Sequence, residues 1–357
     1  MPEPQLGRAR LVAQGLVTRD FKTPAKVAEA FGAHQGQDLP GVLASLALRT
    51  RGGIDDVLAA FARGEIVRGY PIRGTVFAMA ARDAAWITEL CVGPGLRQSV
   101  RLLASRGLVE EHRQRSEEIA REVLADGPRP RAELNEHWAA AGLSEAQGAN
   151  YHLLTHLISA GVLCHGPIID GDQHIVLCEA WLPPGSDLEG RFNGDREAAV
   201  AELLCRYLTS RGPATLRDFH WWSKLPITEI RRAFALVADR FEEVEGERFQ
   251  RVGLAEEVNR AGRAASAPLL LPGFDEFILG YQDRLFAMSE AEHERLVPGN
   301  NGMFRRSVVV GGQVVGTWKR AGSPSRRRLE IEEFKPLAQR TLGVVEKLFA
   351  KFPFHGG

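Results

Sequence analysis

No stretch of the 357-residue chain approaches the roughly 20 apolar residues that a membrane-crossing helix needs. The opening MPEPQLGRARLVAQG also lacks the basic-then-apolar order of a secretory leader, so a cytoplasmic protein is expected. Cysteine is scarce: Cys91, Cys164, Cys178 and Cys205 stand without paired spacing, which excludes a disulfide framework and a CxxC metal knuckle. Cys164-His165 with His174 and Cys178 is the one set that a metal could draw on. Two ordinary strands explain it equally well, and free thiols with no metal or organic cofactor are expected. No P-loop, no GxGxxG after a strand, no HExxH and no GxSxG elbow occurs, which disfavours the common phosphoryl, hydride and acyl transfers. Net charge is lacking too: 45 basic residues balance 45 acidic ones, which argues against a protein that coats nucleic acid indiscriminately.

What is present is ordinary in composition and uneven in distribution. Hydrophobic residues at 44% and charged ones at 25% suit a soluble chain with cores for two or three domains. Residues 301–328 carry Arg305, Arg306, Lys319, Arg320, Arg326, Arg327 and Arg328 and no acidic residue, a segment that attracts phosphates or else a solvated surface run.

A weak internal repeat organises the middle of the chain. Gly127-Pro128, Glu133-Leu134 and Trp138 return about 85 residues later as Gly212-Pro213, Asp218-Phe219 and Trp222. Each copy follows an apolar-periodic helix (SEEIAREVLADG; AAVAELLCRYLTSRG) that Gly-Pro terminates. Two further helices and a strand-turn-strand come next: EAQGANYHLLTHLISAG leads to VLCHGPIIDGDQHIVLC, and ITEIRRAFALVADR to FEEVEGERFQRV. This is the winged-helix order, in which the third helix enters a major groove beside the hairpin wing. The N-terminal region repeats the order, its strands turning near Tyr70-Pro71. The fold class expected is α+β: winged-helix units over 1–114, 115–190 and 191–261, then a small β-rich domain over 262–357 with a closing helix.

The candidate chemistry lies in FGAHQGQDLPGVL, where His34, Gln35, Gln37 and Asp38 surround a glycine. In an extended segment residues two apart point the same way, so Gln35 and Gln37 would present both amides to one pocket, with Gly36 leaving the approach open. Asp38 suits the cap of the next helix. Solvated turn residues are the plain alternative for both glutamines. Arg68 and Arg73 are candidate phosphate contacts or surface pairs, Trp221 and Trp222 read as core, and Asp275, Glu276 and Asp283 as ion-pair partners of Arg284 or its neighbouring arginines.

Five segments in order, QGQD near residue 35, IVRGYPIRGT at 66–75, TLRDFHWWSKLP at 215–226, LPGFDEFILGYQDR at 271–284 and VVGTWKR at 314–320, resemble the AlkZ/YcaQ-like winged-helix DNA glycosylases over nearly the whole chain. The resemblance implies a curved DNA-binding body and a Gln-x-Gln catalytic element, matched here by Gln35 and Gln37, with Asp38 a possible helper. Gly36, where the family usually has a larger apolar residue, and Phe77, where it often has a histidine, depart from the pattern. The implied protein is a monomeric, monofunctional glycosylase acting on double-stranded DNA that contains alkylated purines. A non-catalytic winged-helix regulator or drug-sequestering protein is the rival.

Overall fold

A computed structural model of the chain describes residues 2–323 and 326–355. Helix, helix, helix, hairpin recurs three times. The first set is Pro24–Phe31, Leu39–Leu48 and Ile54–Ala62, followed by strands Ile66–Ile72 and Thr75–Ala80. The second is Glu110–Val123, Arg131–Ala140 and Ala149–Ser159 with strands Leu163–Ile169 and Asp172–Leu177. The third is Arg196–Arg211, Leu216–Ser223 and Ile227–Ala235 with strands Phe241–Val244 and Arg248–Arg251. Local chemistry fixes the helix starts: Thr23 accepts from Lys26 N ahead of Pro24, Asp195 accepts from Ala198 N, and Thr215 with Asp218 forms a reciprocal capping box.

Two helices, Ala81–Cys91 and Gly93–Ser105, follow the first hairpin without having been anticipated. The hairpin itself turns at Arg73-Gly74, both left-handed, and not at Tyr70-Pro71. Consecutive positive φ angles match the twist of a two-residue hairpin loop. Pro71, which has no N–H to donate, sits where the register between the strands is broken between Gly69 and Ile72.

The first two hairpins join in one five-stranded sheet, Arg68 pairing with His165 at their junction, and the two-residue strand His34–Gln35 forms its edge against Thr75–Ala80. The repeated tryptophans are core anchors. Trp138 lies fully buried among Leu134, Leu153 and Leu157 of the second unit, and Trp222 among Tyr207, Phe219 and Phe77.

Part of the segment from 262 onward packs into the core of the helical units. Leu271, Phe277 and Tyr281 join the large cluster that also holds Leu11, Trp86, Leu203 and Trp222. The four-stranded sheet that follows (Leu269–Leu271, Ser307–Val310, Gln313–Ala321, Arg328–Glu333) buries Trp318 and Val308 against Val345 and Phe349 of the closing helix Gln339–Ala350, as expected. Among the described residues no helix is long and apolar enough to cross a membrane.

Candidate active site

The segment 34–38 is built as a clamped loop. Gln35 pairs with Phe77 in the sheet, and Gly36 N donates to Val76 O at 2.9 Å. A Cβ on Gly36 would stand 3.0 Å from Ala78 N, so the missing side chain serves close backbone approach within the sheet rather than access for a ligand. The Gln35 side chain folds back: its Oε1 accepts from Gly36 N at 2.8 Å and from Gln37 N at 3.1 Å. Its backbone N donates to Glu276 Oε1 at 2.5 Å, and Gly36 O accepts from Arg68 Nε at 3.0 Å. The Arg68 guanidinium also donates to Gln173 Oε1 in the second hairpin, and Gln173 Nε2 donates onward to Gly166 O at 3.1 Å.

Behind the loop lies a buried charge network. Arg49 and Asp275 pair at 2.9 Å, both inaccessible, and Asp275 also accepts from Ser45 Oγ at 2.5 Å. Ser45 thereby accepts from His34 Nε2 at 2.8 Å, leaving Nδ1 without a partner. Burial, with the charge of Arg49 second, pulls the His34 pKa well below 6.5, so the ring is neutral. Glu276 Oε2 accepts from Arg211 Nε at 2.9 Å, while Arg211 caps Phe31 O and Ala33 O at 3.0 and 2.7 Å. Asp275 and Glu276 are ion-paired, then, but to Arg49 and Arg211 and not to Arg284. Asp283 stands apart, accepting from Leu285 N.

The loop delivers Gln37 and Asp38 to the edge of a solvent-open cleft of about 920 Å³, whose far walls carry Phe304, Arg305, Arg306, Lys319, Glu330 and Glu332. Gln37 is exposed, and its side-chain amide has no hydrogen-bond partner among the described residues. Gln35 does not line this cleft, because its amide oxygen is spent holding the loop, so the two amides do not share one pocket. Asp38 sits at the N-cap position of helix Leu39–Leu48 without a side-chain capping hydrogen bond. Its carboxylate is half-buried at the cleft edge. Burial raises its pKa, against the opposing pull of Arg306, the nearby Gly41 N–H and Arg68.

Three further expectations change. Arg68 is buried and committed to Gly36 and Gln173, so it is not a surface phosphate contact. The acid-free run 301–328 is not acid-free in space, because strand Arg328–Glu333 brings Glu330 to Lys319 (2.9 Å) and Arg328 (3.2 Å), and Glu332 to Arg305 (3.2 Å). Arg306 instead lies 5.1 Å over the Trp318 ring, and Arg320 and Arg327 over Phe354. Trp222 is core as read, whereas Trp221 is only half-buried beneath Arg73. Among the described residues no His, Cys, Asp or Glu group could hold a metal, and Cys164 and Cys178 are free thiols.

Three helix-helix-helix-hairpin units are followed by a β-rich segment, and the Gln37 loop of the first unit faces that segment across a cleft lined by both cations and carboxylates. The chain belongs to the AlkZ-like DNA glycosylase family, whose model matches residues 28–352. It is 32% identical over 174 residues to an interstrand DNA cross-link repair glycosylase of Streptomyces sahachiroi, a match that spans 47% of this chain and 45% of that relative, about half its length. Its fold is that of the solved Streptomyces sahachiroi DNA glycosylase AlkZ, with a TM-score of 0.72 at 22% identity over 98% of this chain and 96% of that one.

Proposed function

We propose that the protein hydrolyses the N-glycosidic bond of N7-alkylguanine and N3-alkyladenine in double-stranded DNA, including bulky adducts and interstrand crosslinks. The observation that carries this reading is Gln37: a free amide held at the edge of an open cleft, with Arg306 across it, by a loop braced at Gln35 and Gly36. An alkylated purine is cationic and departs neutral as its bond to C1′ breaks. A water oxygen then bonds to C1′, and its proton passes to solvent. No strong acid is needed. Gln37 orients the water, donating through Nε2 and accepting through Oε1, Gln35 positions the loop, and the Asp38 carboxylate lends negative charge beside the sugar as it gains oxocarbenium character.

Bulky lesions fit because the cleft is wide and open, whereas a flipped base occupies a snug pocket and a crosslinked base cannot rotate into one. The relative's crosslink-repair name supports the same substrate class, and the resemblance extends it to self-resistance against a DNA-alkylating natural product. Phosphates of the duplex meet Arg305, Arg306 and Lys319 on the cleft wall and Arg320, Arg326, Arg327 and Arg328 beyond it. Incubation with an N7-alkylated duplex should release free 7-alkylguanine and leave an abasic site. Tight binding without release would support the non-catalytic rival.

A further inference from the structure

Arg73, Lys224 and Arg284 converge on Trp221 from three parts of the chain. Arg73 comes from the turn of the first hairpin, Lys224 from the left-handed end of helix Leu216–Ser223, and Arg284 from the segment after helix Glu276–Leu279. Their cationic groups lie 4.3 Å (Arg73), 5.4 Å (Arg284) and 6.0 Å (Lys224) from the Trp221 ring centroid. Nearly all the other buried or half-buried arginines of this region are spent on acceptors: Arg49 on Asp275, Arg211 on Glu276, Arg68 on Gly36 and Gln173. The Arg73 and Arg284 side chains have no hydrogen bond or ion pair among the described residues, and Arg284 Nε is buried without a partner.

The choice of an aromatic ring over a carboxylate has a physical consequence. A carboxylate would hold the guanidinium and cancel its charge, whereas an indole face holds it by roughly 0.5–2 kcal/mol and leaves the charge standing. Burial lowers both pKa values, that of Arg73 to about 10, so each cation bears a desolvation cost that Glu276 offsets only in part for Arg73 and that no resident anion offsets for Arg284. An external anion would supply the missing acceptor, and a phosphodiester presents paired oxygens that suit two guanidinium forks.

We propose that Arg73 and Arg284, held over Trp221 with Lys224 at the rim, form a phosphate site for the lesion-bearing strand, within one or two phosphodiesters of the nucleotide at Gln37. The placement follows from one shared wall and one shared strand. Arg284 lies 5.0 Å over Phe304, which lines the cleft with Gln37, and Arg73 sits in the turn into the strand whose Phe77 pairs with Gln35, two residues before Gln37. The site rests on the reading of the cleft as DNA-binding and adds to it a fixed grip beside the reacting sugar.

The test is a scan in which single phosphates around an N7-methylguanine are replaced one at a time by neutral methylphosphonates, with binding followed by fluorescence anisotropy. For the wild type, one or two flanking positions should weaken binding about tenfold. Arg73→Gln and Arg284→Gln should each weaken binding to the unmodified duplex similarly, lower the salt slope by about one, and no longer respond at those positions while still responding elsewhere. Trp221→Phe should retain the effect and Trp221→Leu lose part of it, with melting temperatures confirming that each variant is folded. Unchanged affinity and salt slope, or variants that remain sensitive at every position, would overturn the proposal. Base release does not enter this readout, so a chain that binds in this pattern without excising would refute the glycosylase reading alone.

Discussion

Arg68 lies in the IVRGYP segment, where the sequence allows a phosphate contact or a surface pair, and it separates two accounts of the loop. Replacing it with Met keeps the stem and removes the guanidinium, leaving Gly36 O and Gln173 Oε1 buried without their donor. Three hydrogen bonds from a charged group, two to Gly36 O and one to Gln173 Oε1, contribute about 1.5–3 kcal/mol each. Against this stands the burial that draws the Arg68 pKa from 12.5 to about 10, roughly 3 kcal/mol that the variant recovers. The net loss should be about 2–4 kcal/mol, which for a chain of this length is a fall in melting temperature of roughly 3–5 °C. Freed of its brace, the loop should misplace Gln37, and single-turnover excision should drop by about 10²-fold, while affinity for lesion DNA and its salt dependence stay near wild type. Differential scanning fluorimetry, anisotropy titrations at several salt concentrations and quenched excision assays read the three quantities. A stable variant with weakened binding and a flattened salt slope would refute the argument, because that is the behaviour of a phosphate contact.

Asp275→Ala leaves Arg49 charged and buried, and chemical denaturation should show a loss of about 3–5 kcal/mol. His34 resists protonation when folded but not when unfolded, so its depressed pKa makes stability fall as pH drops below the unfolded value near 6.5. Urea titrations between pH 7.5 and 5.5 should show that loss of stability, and those of His34→Gln should lack the part of it that His34 contributes. Replacing Arg326, Arg327 and Arg328 together should weaken binding to all duplexes alike and reduce the salt slope; unchanged titrations would remove that run from the interface. Gln35→Ala should lower both excision and melting temperature, since its oxygen ties Gly36 and Gln37 together, and a variant that keeps full activity would exclude that bracing role.

The order of elements was legible because it depends on local signals: Gly-Pro ends, capping residues, apolar periodicity and the repeated tryptophans that became core anchors. The Gln-x-Gln loop was legible as a polar interruption in an apolar stretch. Its clamp was not. Glu276 lies 241 residues from Gln35, and Asp275 226 residues from Arg49, so no local pattern marks either partnership. The two glutamines diverge for a related reason. Alternation along a strand predicts one shared face, but the strand ends at Gln35 and the chain bends through Gln37 and Asp38, turning one amide inward and the other to the cleft. Likewise the basic run reads as uncompensated along the chain, while strand pairing supplies Glu330 and Glu332 from the next strand. Arg73 and Arg284 show the converse, two cations in unrelated segments that only the fold brings to one ring.

The chemistry turns on which side chain at the cleft edge handles the water. The direct measurement is single-turnover release of 7-alkylguanine by Gln37→Ala and Asp38→Asn, with lesion binding determined in parallel. Gln37→Ala should slow release by roughly 10²-fold or more at nearly unchanged affinity, as loss of a contact to the reacting water does, and Asp38→Asn should slow it far less. Should Asp38→Asn abolish release while Gln37→Ala leaves it intact, the carboxylate carries the reaction and the amide mechanism is wrong.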